Sequence, residues 1–282
     1  MAAIEGLTRV SLDEEHLDDA CALVDEAGWN ETADDWRMMI DAGHAIGFED
    51  GNGKLVASAL TLPYGEDFGW ISMVLVTAAW RRKGIATWLL DACIAELENA
   101  GRIPVLDATP DGEKVYERLG FESHFTIRRW QSSSPAAPAR GDPAVRPLTG
   151  DDLPGLFGYD REIFGGNRAS VLADIALRNG HGGWVIDGRN GFLLSRAGRR
   201  ARQLGPLCAD DDATATALLS AALAQFEEPV FIDVPDRHTA VCEMLEAQGF
   251  TVQRPFRRMY RGDTDGFGDI ARSYAIAGPE LG

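Results

Sequence analysis

A run of basic and small residues begins at position 81 and has the composition of an anion site. Three cations are followed by a glycine and a small residue in the run Arg81, Arg82, Lys83, Gly84, Ile85 and Ala86. The preceding residues Val74–Val76 end an apolar segment typical of a strand, and the following residues open an amphipathic helix. The start of a helix offers free N–H groups and the positive end of its dipole. Because Gly84 has no Cβ, a phosphate can approach the main chain closely there. The run therefore predicts a diphosphate site.

Two familiar phosphate motifs do not fit this run. A P-loop needs four residues between its first glycine and Gly-Lys-Ser/Thr, and the dinucleotide fingerprint needs Gly-x-Gly-x-x-Gly. Taken alone, the run fits a basic helix start exposed to water as well as it fits an anion site.

Alternating helix and strand signals surround the run and must position it. Helices are predicted over 14–28, 33–41, 85–99 and 112–119, and strands over 45–49, 54–62, 69–76, 103–106 and 121–130. The two early strands are joined by Asp50-Gly51-Asn52-Gly53, which indicates a hairpin. This order predicts an α/β fold (an α+β mixed sheet) with helices flanking a central sheet.

In this context the sequence resembles the GNAT family of acetyl-CoA-dependent N-acetyltransferases. The family motif, Arg/Gln-x-x-Gly-x-Gly/Ala after a strand that ends in valine, is filled by Arg81, Gly84 and Ala86. Tyr116, four residues before a Gly-Phe pair, resembles the second family signature. One departure is Ala78, where many members have proline.

The resemblance implies a set of residues that bind acetyl-CoA as co-substrate. They are Met73, Val74, Leu75, Val76, Arg81, Arg82, Lys83, Gly84, Ile85, Ala86 and Thr109. The strand residues 73–76 are expected to pair with the pantetheine arm, and the N–H groups of about 82–86 to hold the diphosphate. No metal is expected.

Tyr116 is the expected general acid. When a neutral amine attacks a thioester, negative charge develops on oxygen and the leaving thiolate needs a proton. A phenol of pKa ~10 and a thiol of pKa ~8.5 differ by about 1.5 units, a mismatch of roughly 2 kcal/mol. The alternative is a tyrosine packed in the core with its hydroxyl at the edge. Glu66, Asp67 and Asp107 lie near strand ends as candidate bases, and none is assigned.

The second half of the chain repeats the first. With Leu218 placed on Leu89, an offset of 129, the pair Gly249-Phe250 falls on Gly120-Phe121 without a gap. We interpret this as tandem duplication, with residues 1–131 as the catalytic domain, 132–144 as a Ser/Pro/Ala-rich linker and 145–282 as a second GNAT-like domain. Two unrelated α/β domains are the alternative.

The second copy lacks the residues of the predicted site. At the same offset, Asp210–Asp212 stand opposite the three cations, Ala213 opposite Gly84 and Leu245 opposite Tyr116. Like charges oppose diphosphate binding, whereas acids at a helix amino terminus are favourable. We therefore expect residues 145–282 to lack acetyl-CoA activity and to shape the acceptor site, an oligomer interface, or both.

Some residues are candidates for acceptor binding. Asp160 and Arg168 suit an amine and a carboxylate, although an internal salt bridge explains them equally well. Trp29, with Trp36 and Trp184, suits the lining of an acceptor pocket, but tryptophans also pack in cores.

Composition limits the remaining function classes. Lys and Arg number 27 against 44 Asp and Glu, a net charge of −17, which argues against nucleic acid as a partner. No apolar run reaches the ~18 residues of a membrane helix, and residues 1–6 lack a secretory leader. The four scattered cysteines show no metal spacing, so we expect reduced thiols in a cytoplasmic protein. The sequence leaves a monomer and a homodimer both open.

These observations favour an N-acetyltransferase that acts on a primary amine of a small molecule. Two alternatives stay open. One is a protein or peptide acceptor, since the first half is strongly acidic, and the other is a non-catalytic acetyl-CoA or metabolite sensor or an antitoxin-like binding module. A sensor needs the basic loop but not Tyr116.

Overall fold

The structure is a computed structural model that describes residues 4–135, 142–178 and 182–282. The chain divides into two compact units, the first ending at Leu106 and the second beginning at Asp107. The predicted linker 132–144 falls inside the second unit, and its residues 136–141 lie outside the described part of the chain.

The first unit contains the helices and strands around the predicted diphosphate site. They are β1 (Thr8–Ser11), α1 (Leu17–Ala27), α2 (Ala33–Ala42), β2 (His44–Glu49), β3 (Leu55–Pro63), β4 (Phe68–Val76), α3 (Ile85–Asn99) and β5 (Ile103–Ala108), the last of which crosses the unit boundary. As predicted, α1 stops at Gly28, whose φ of 70° is left-handed, and Thr32 caps α2. The short strand β1 was not predicted from the sequence.

The sheet of the first unit runs in the order β1-β2-β3-β4-β5. Its first four strands pair antiparallel, and β4 and β5 pair parallel. α1 and α2 pack against β2, β3 and β4, and α3 packs against β3 and β4. The predicted mixed sheet flanked by helices is therefore confirmed.

The second unit contains the rest of the chain. Its elements are α4 (Pro110–Arg118), β6 (Glu122–Ser132), β7 (Val145–Pro147), α5 (Leu153–Phe164), α6 (Ala169–Leu177), β8 (Gly183–Ile186), β9 (Gly191–Arg196), β10 (Arg202–Ala209), α7 (Asp212–Leu223), β11 (Val230–Pro235), α8 (Thr239–Ala247), β12 (Thr251–Tyr260) and β13 (Ser273–Ala275). Strands β7 to β11 repeat the pairing order of β1 to β5, including one parallel pair, β10 with β11.

Strand β6 explains why the compact units differ from the predicted domains. It pairs antiparallel with β11 on one side and with β12 on the other, so the end of the first repeat is built into the second unit. Buried ion pairs also connect residues of the first repeat with residues of the second repeat. Arg129 donates to Asp233, and Arg258, the same position in the second repeat, donates to Asp107.

Among the described residues, no helix combines the length and apolar character that crossing a membrane requires. The four cysteines are free thiols, and Cys93 and Cys208 are buried.

Candidate active site

Strand β4 is kinked at Met73. This residue has a left-handed φ of 53°, and the pairing of β4 with β3 shifts register between Ser58 and Leu60. The Ser58 hydroxyl donates to the Met73 carbonyl oxygen at 2.9 Å. Left-handed backbone at a residue with a side chain costs about 1–3 kcal/mol, so it persists only where neighbours enforce it. Such a kink redirects the peptide groups that follow it along the strand.

One edge of β4 is only partly paired within the first unit. Phe68–Trp70 pair with Ile103–Val105 of β5, and of the described residues up to Leu106 none pairs with Ile71–Val76 on that side. The backbone groups of the predicted pantetheine-binding residues 73–76 therefore face an open edge of the first unit's sheet. An extended ligand arm can pair there as an added strand does.

Eight residues, 77–84, lead from β4 to α3, and we call them the diphosphate loop. The loop contains two left-handed residues, Arg82 (φ 62°) and Gly84 (φ 79°). In the described part of the chain, no side chain caps α3 and no acid lies in its first turn. A Cβ built at Gly84 would meet no atom within 4 Å. Free N–H groups beside open space fit an anionic group such as a diphosphate.

The three loop cations have different surroundings. Arg81 is turned back on the loop, where its Nε donates to the Val76 carbonyl oxygen at 2.9 Å and its Nη2 lies 3.3 Å from Glu26. The Arg81 side chain is nevertheless exposed, and its contact with a phosphate stays a prediction. Arg82 and Lys83 are exposed, and the Lys83 Nζ lies 4.1 Å from the centre of the Trp80 ring. All three cations are exposed and stay candidates for contact with a diphosphate.

Tyr116 lies on α4 in the second unit. Thr109 caps this helix by accepting from the Gly112 N–H at 3.4 Å, so its hydroxyl has a local structural role. The Tyr116 ring packs over Gly112, where a Cβ would come within 2.8 Å of the ring. Burial raises the pKa of Tyr116 to about 12. The phenol is therefore neutral over the whole physiological pH range and can act as a proton donor.

Comparison with known proteins decides the family. The Acetyltransferase (GNAT) family profile matches residues 10–121, and the profile described as Acetyltransferase (GNAT) domain matches residues 156–275. The chain belongs to the GNAT family, as two tandem domains. It is accordingly an enzyme of the acetyltransferase class, and this confirms the resemblance found in the sequence.

Relatives of similar length support this assignment. The chain is 24% identical to the uncharacterised N-acetyltransferase YitH of Bacillus subtilis over 86% of both chains. It is 29% identical to the holothin acyltransferase of a Pseudoalteromonas species over 82% of this chain and 79% of that one.

Two solved structures share the fold. A crystal structure from Pyrococcus horikoshii aligns over 100% of this chain and 98% of its own, with a TM-score of 0.86 at 18% identity. A tandem GNAT protein from the clavulanic acid biosynthesis pathway aligns over 92% of this chain and 100% of its own, with a TM-score of 0.61 at 15% identity.

The second GNAT domain has no counterpart of the diphosphate loop. Two residues, Asp210 and Asp211, join β10 to α7, where eight join β4 to α3. The loop before α7 is therefore six residues shorter than the loop before α3, which an alignment without gaps at an offset of 129 does not show. The three aspartates are thus not position-by-position replacements of the three cations. Asp211 caps α7 by accepting from the Thr214 N–H at 2.7 Å. At least one amino-terminal N–H of α7 thus has a side-chain acceptor within the protein, whereas α3 has no such cap among the described residues.

The edge of β10 that corresponds to the open edge of β4 is filled by the chain itself. β11 pairs with Arg202–Leu204, and beyond this point β13 adds to β10, pairing Ala275 with Leu207 and Ser273 with Cys208. Near the start of α7, the Tyr274 hydroxyl donates to Asp212 at 2.7 Å. The segment that leads into and contains β13 occupies the place that an extended ligand arm would need.

The residues proposed to bind an acceptor divide into two groups. Asp160 and Arg168 form a buried bidentate ion pair at 2.9 and 3.0 Å, and Arg168 also donates to the Gly282 carbonyl oxygen. This is the internal salt bridge, and it corrects the expectation of acceptor contact, because such contact would leave buried charges unpaired. Of the three tryptophans proposed as acceptor contacts, Trp36 and Trp184 are buried and Trp29 is half-exposed.

The surroundings of the candidate bases assign none of them as the general base. Glu66 and Asp67 are exposed in the β3–β4 turn. Six residues separate Asp67 from Met73, which is about 20 Å along a strand. Asp107 is buried, with both oxygens bound to Arg258 at 2.6 and 3.0 Å. Burial raises the pKa of Asp107 and the Arg258 guanidinium opposes this shift, so the carboxylate is held in a buried ion pair.

Sequence reasoning missed Glu26 and the segment around β13. Glu26 binds Thr77, Ala78 and Arg81 of the diphosphate loop. The sequence feature that could have identified Glu26 is an acid in the last turn of a predicted helix, where the helix dipole disfavours negative charge. Ser273–Ala275 are three residues long, too short to give a periodic pattern.

Proposed function

We propose that this GNAT protein transfers an acetyl group from acetyl-CoA to a primary amine of a small molecule, using only its first domain. In this proposal the peptide groups of Met73–Val76 bind the pantetheine arm and the N–H groups of 82–86 bind the diphosphate. Arg82 and Lys83 supply the positive charge. Acetyl-CoA supplies an activated acyl group as a thioester.

The observation that carries the proposal is the uncapped amino terminus of α3 beside Gly84. A helix start without an internal acceptor leaves several N–H donors unpaired in the free protein. The diphosphate satisfies them, and its charge interacts favourably with the helix dipole. The left-handed φ of Gly84 and the empty space beside it support the same function.

Tyr116 is proposed as the general acid that protonates the leaving thiolate. Its pKa of about 12 exceeds that of a free thiol, ~8.5, by about 3.5 units, so the unassisted transfer is uphill by roughly 5 kcal/mol. This is larger than the ~2 kcal/mol expected for an exposed phenol. Proton transfer is therefore expected to occur as the thiolate leaves and its basicity is highest, not in a separate earlier step.

A small-molecule acceptor is favoured over a protein. One relative of similar length is named as an acyltransferase for holothin, and one solved neighbour comes from the clavulanic acid biosynthesis pathway. Trp29, half-exposed between α1 and α2, is the remaining aromatic candidate for acceptor contact.

The test is a panel of small amines and basic peptides incubated with acetyl-CoA, with release of the CoA thiol as the readout. Acetylation of a small amine, with no acceptor-dependent thiol release from peptides, supports the proposal. Turnover of peptides alone contradicts the acceptor class. Acetyl-CoA binding without turnover of any amine favours the sensor.

A further inference from the structure

Glu26 lies where helix electrostatics disfavour a carboxylate. It is the tenth of the eleven residues of α1, and the last turn of this helix contains no basic residue. Carbonyl groups give the end of a helix a partial negative charge, which repels an acid. A stabilising partner must therefore come from outside the helix.

Both carboxylate oxygens of Glu26 bind the diphosphate loop. Oε2 accepts from the Thr77 hydroxyl at 2.6 Å, and Oε1 accepts from the Ala78 N–H at 2.5 Å and from Arg81 Nη2 at 3.3 Å. The hydrogen bond from Thr77 is the largest cause that holds the pKa of Glu26 below its usual value. The group is thus ionised at neutral pH and contacts three loop residues.

Arg81 extends these contacts to the end of β4. Its Nε donates to the Val76 carbonyl oxygen at 2.9 Å while its Nη2 contacts Glu26. The first half of the loop is therefore fixed to α1 and to β4. The second half contains the left-handed residues Arg82 and Gly84, whose conformation depends on where the first half is held.

We propose that Glu26 is a positioning residue that holds the diphosphate loop in the conformation that binds the diphosphate of acetyl-CoA. It does so without touching the ligand, and this inference rests on the proposed function. If the loop is already ordered in the free protein, the entropic cost of ordering it does not reduce the affinity for acetyl-CoA. Loss of the Glu26 contacts therefore weakens acetyl-CoA binding even though every group that contacts the ligand remains.

The second domain offers a matched position. Glu162 is the tenth residue of α5, as Glu26 is of α1, and it also binds an arginine. Its partner is Arg272, in the segment that leads into β13. The variant Glu162→Ala removes an acid from the matched helix position, and the partner that is lost, Arg272, is not a residue of the diphosphate loop.

The experiment is calorimetric titration of acetyl-CoA into the full chain and four variants. Glu26→Ala is expected to raise Kd at least ~tenfold, which corresponds to about 1.4 kcal/mol. Glu26→Gln keeps an oxygen acceptor for the Ala78 N–H and is expected to raise Kd about threefold, a partial rescue. Thr77→Val removes the hydroxyl donor and is expected to raise Kd about threefold. Glu162→Ala is expected to leave Kd within about twofold.

The outcomes separate this inference from the proposed function. If the unmodified chain binds acetyl-CoA and both Glu26→Ala and Thr77→Val bind it within about twofold of the original Kd, the positioning role is wrong and the proposed function stands. If Glu162→Ala weakens acetyl-CoA binding as much as Glu26→Ala does, the positioning role is also wrong, because the effect does not depend on contacts with the diphosphate loop. If the unmodified chain does not bind acetyl-CoA, the proposed function itself is wrong. Thermal unfolding of each variant checks folding, and Thr77→Val provides the test if Glu26→Ala is unfolded.

Discussion

Helices α3 and α7 begin at equivalent places in two copies of one fold, but they differ in the preceding loop, in capping and in the cover of the preceding strand edge. α3 follows an eight-residue loop and has no side-chain cap among the described residues, whereas α7 follows two residues and is capped by Asp211. The strand before α3 has an open edge within its unit, and the strand before α7 is covered by β13.

The two copies differ at the place proposed to bind acetyl-CoA, although they share one fold. The second domain keeps the strand order, the parallel pair and the helix, because these form its core. Its helix start is satisfied by an aspartate, and its strand edge is satisfied by a segment of the same chain. Polar backbone groups need partners in every fold. In the first domain, we propose that a ligand supplies some of these partners.

The largest expected effect comes from Gly84→Glu. A carboxylate about 4 Å from a diphosphate opposes binding by roughly 4 kcal/mol at a partly desolvated site, so we expect acetyl-CoA affinity to fall at least ~100-fold. Gly53→Glu is the matched control, because Gly53 also has a left-handed φ (75°) and open space, but lies in the β2–β3 turn. Calorimetry on both variants checks this. Equal affinity in Gly84→Glu and the unmodified chain would place the diphosphate elsewhere.

Tyr116→Phe is expected to have the next largest effect. It removes the proton donor and keeps the ring that packs over Gly112. Turnover should fall at least ~tenfold, within the range for loss of a general acid, with Kd for acetyl-CoA within about threefold. Steady-state kinetics with the amine identified by the panel measures both. Unchanged turnover would remove Tyr116 from the mechanism.

Gly112→Ala is expected to reduce turnover about threefold to tenfold by displacing the Tyr116 ring, since the new Cβ would lie 2.8 Å from it. Helix propensity alone favours alanine by up to ~1 kcal/mol, so stability is not expected to explain the loss. Gly155→Ala is the control, because Gly155 is also the third residue of its helix and its Cβ would meet nothing within 4 Å. The displacement mechanism is contradicted if the two variants have equal turnover.

Asp211→Ala is expected to affect the second domain alone. Loss of a helix cap costs about 1 kcal/mol in the free energy of unfolding. Acetyl-CoA affinity should not change, since Asp211 caps α7 and not α3. Denaturant unfolding and calorimetry measure the two effects. Tighter binding of acetyl-CoA, or binding of a second molecule, in this variant would show that the Asp211 cap alone prevents binding to the second domain.

The pH profile gives the smallest expected change. Because the pKa of Tyr116 is raised to about 12, the phenol stays protonated as pH rises from 8 to 10. We therefore expect no loss of turnover from this group over that interval, whereas a phenol of pKa ~10 would already be half ionised at the upper end. The profile is measured with saturating substrates. A fall with an apparent pKa near ~10, absent in Tyr116→Phe, would show that the phenol is not shielded.

The local elements were predictable from the sequence and the strand partners were not. Gly28 as a helix stop and Thr32 as a helix cap act within a few residues, so their signals are local and are confirmed. The alternating pattern of 121–130 indicates a strand but carries no information about its neighbours. The insertion of β6 between β11 and β12 is decided by contacts between residues that lie 98 or more positions apart in the chain.

For the candidate site too, contiguous residues were predictable from the sequence and contacts between distant residues were not. The cation run and Gly84 are contiguous, and the structure places them on one loop before α3. The contact of Arg81 with Glu26 joins residues 55 positions apart in the chain. The loss of six loop residues before α7 was hidden because the gapless offset of 129 aligned the helices and later residues correctly.

The most direct test of the account is the stoichiometry of acetyl-CoA binding to the unmodified full chain, measured by isothermal titration calorimetry. The account predicts one site per chain, because one helix start is uncapped beside an open strand edge and its counterpart is capped and covered. Two sites per chain would show that β13 and the Asp211 cap yield to the ligand, and would contradict the assignment of activity to the first domain alone.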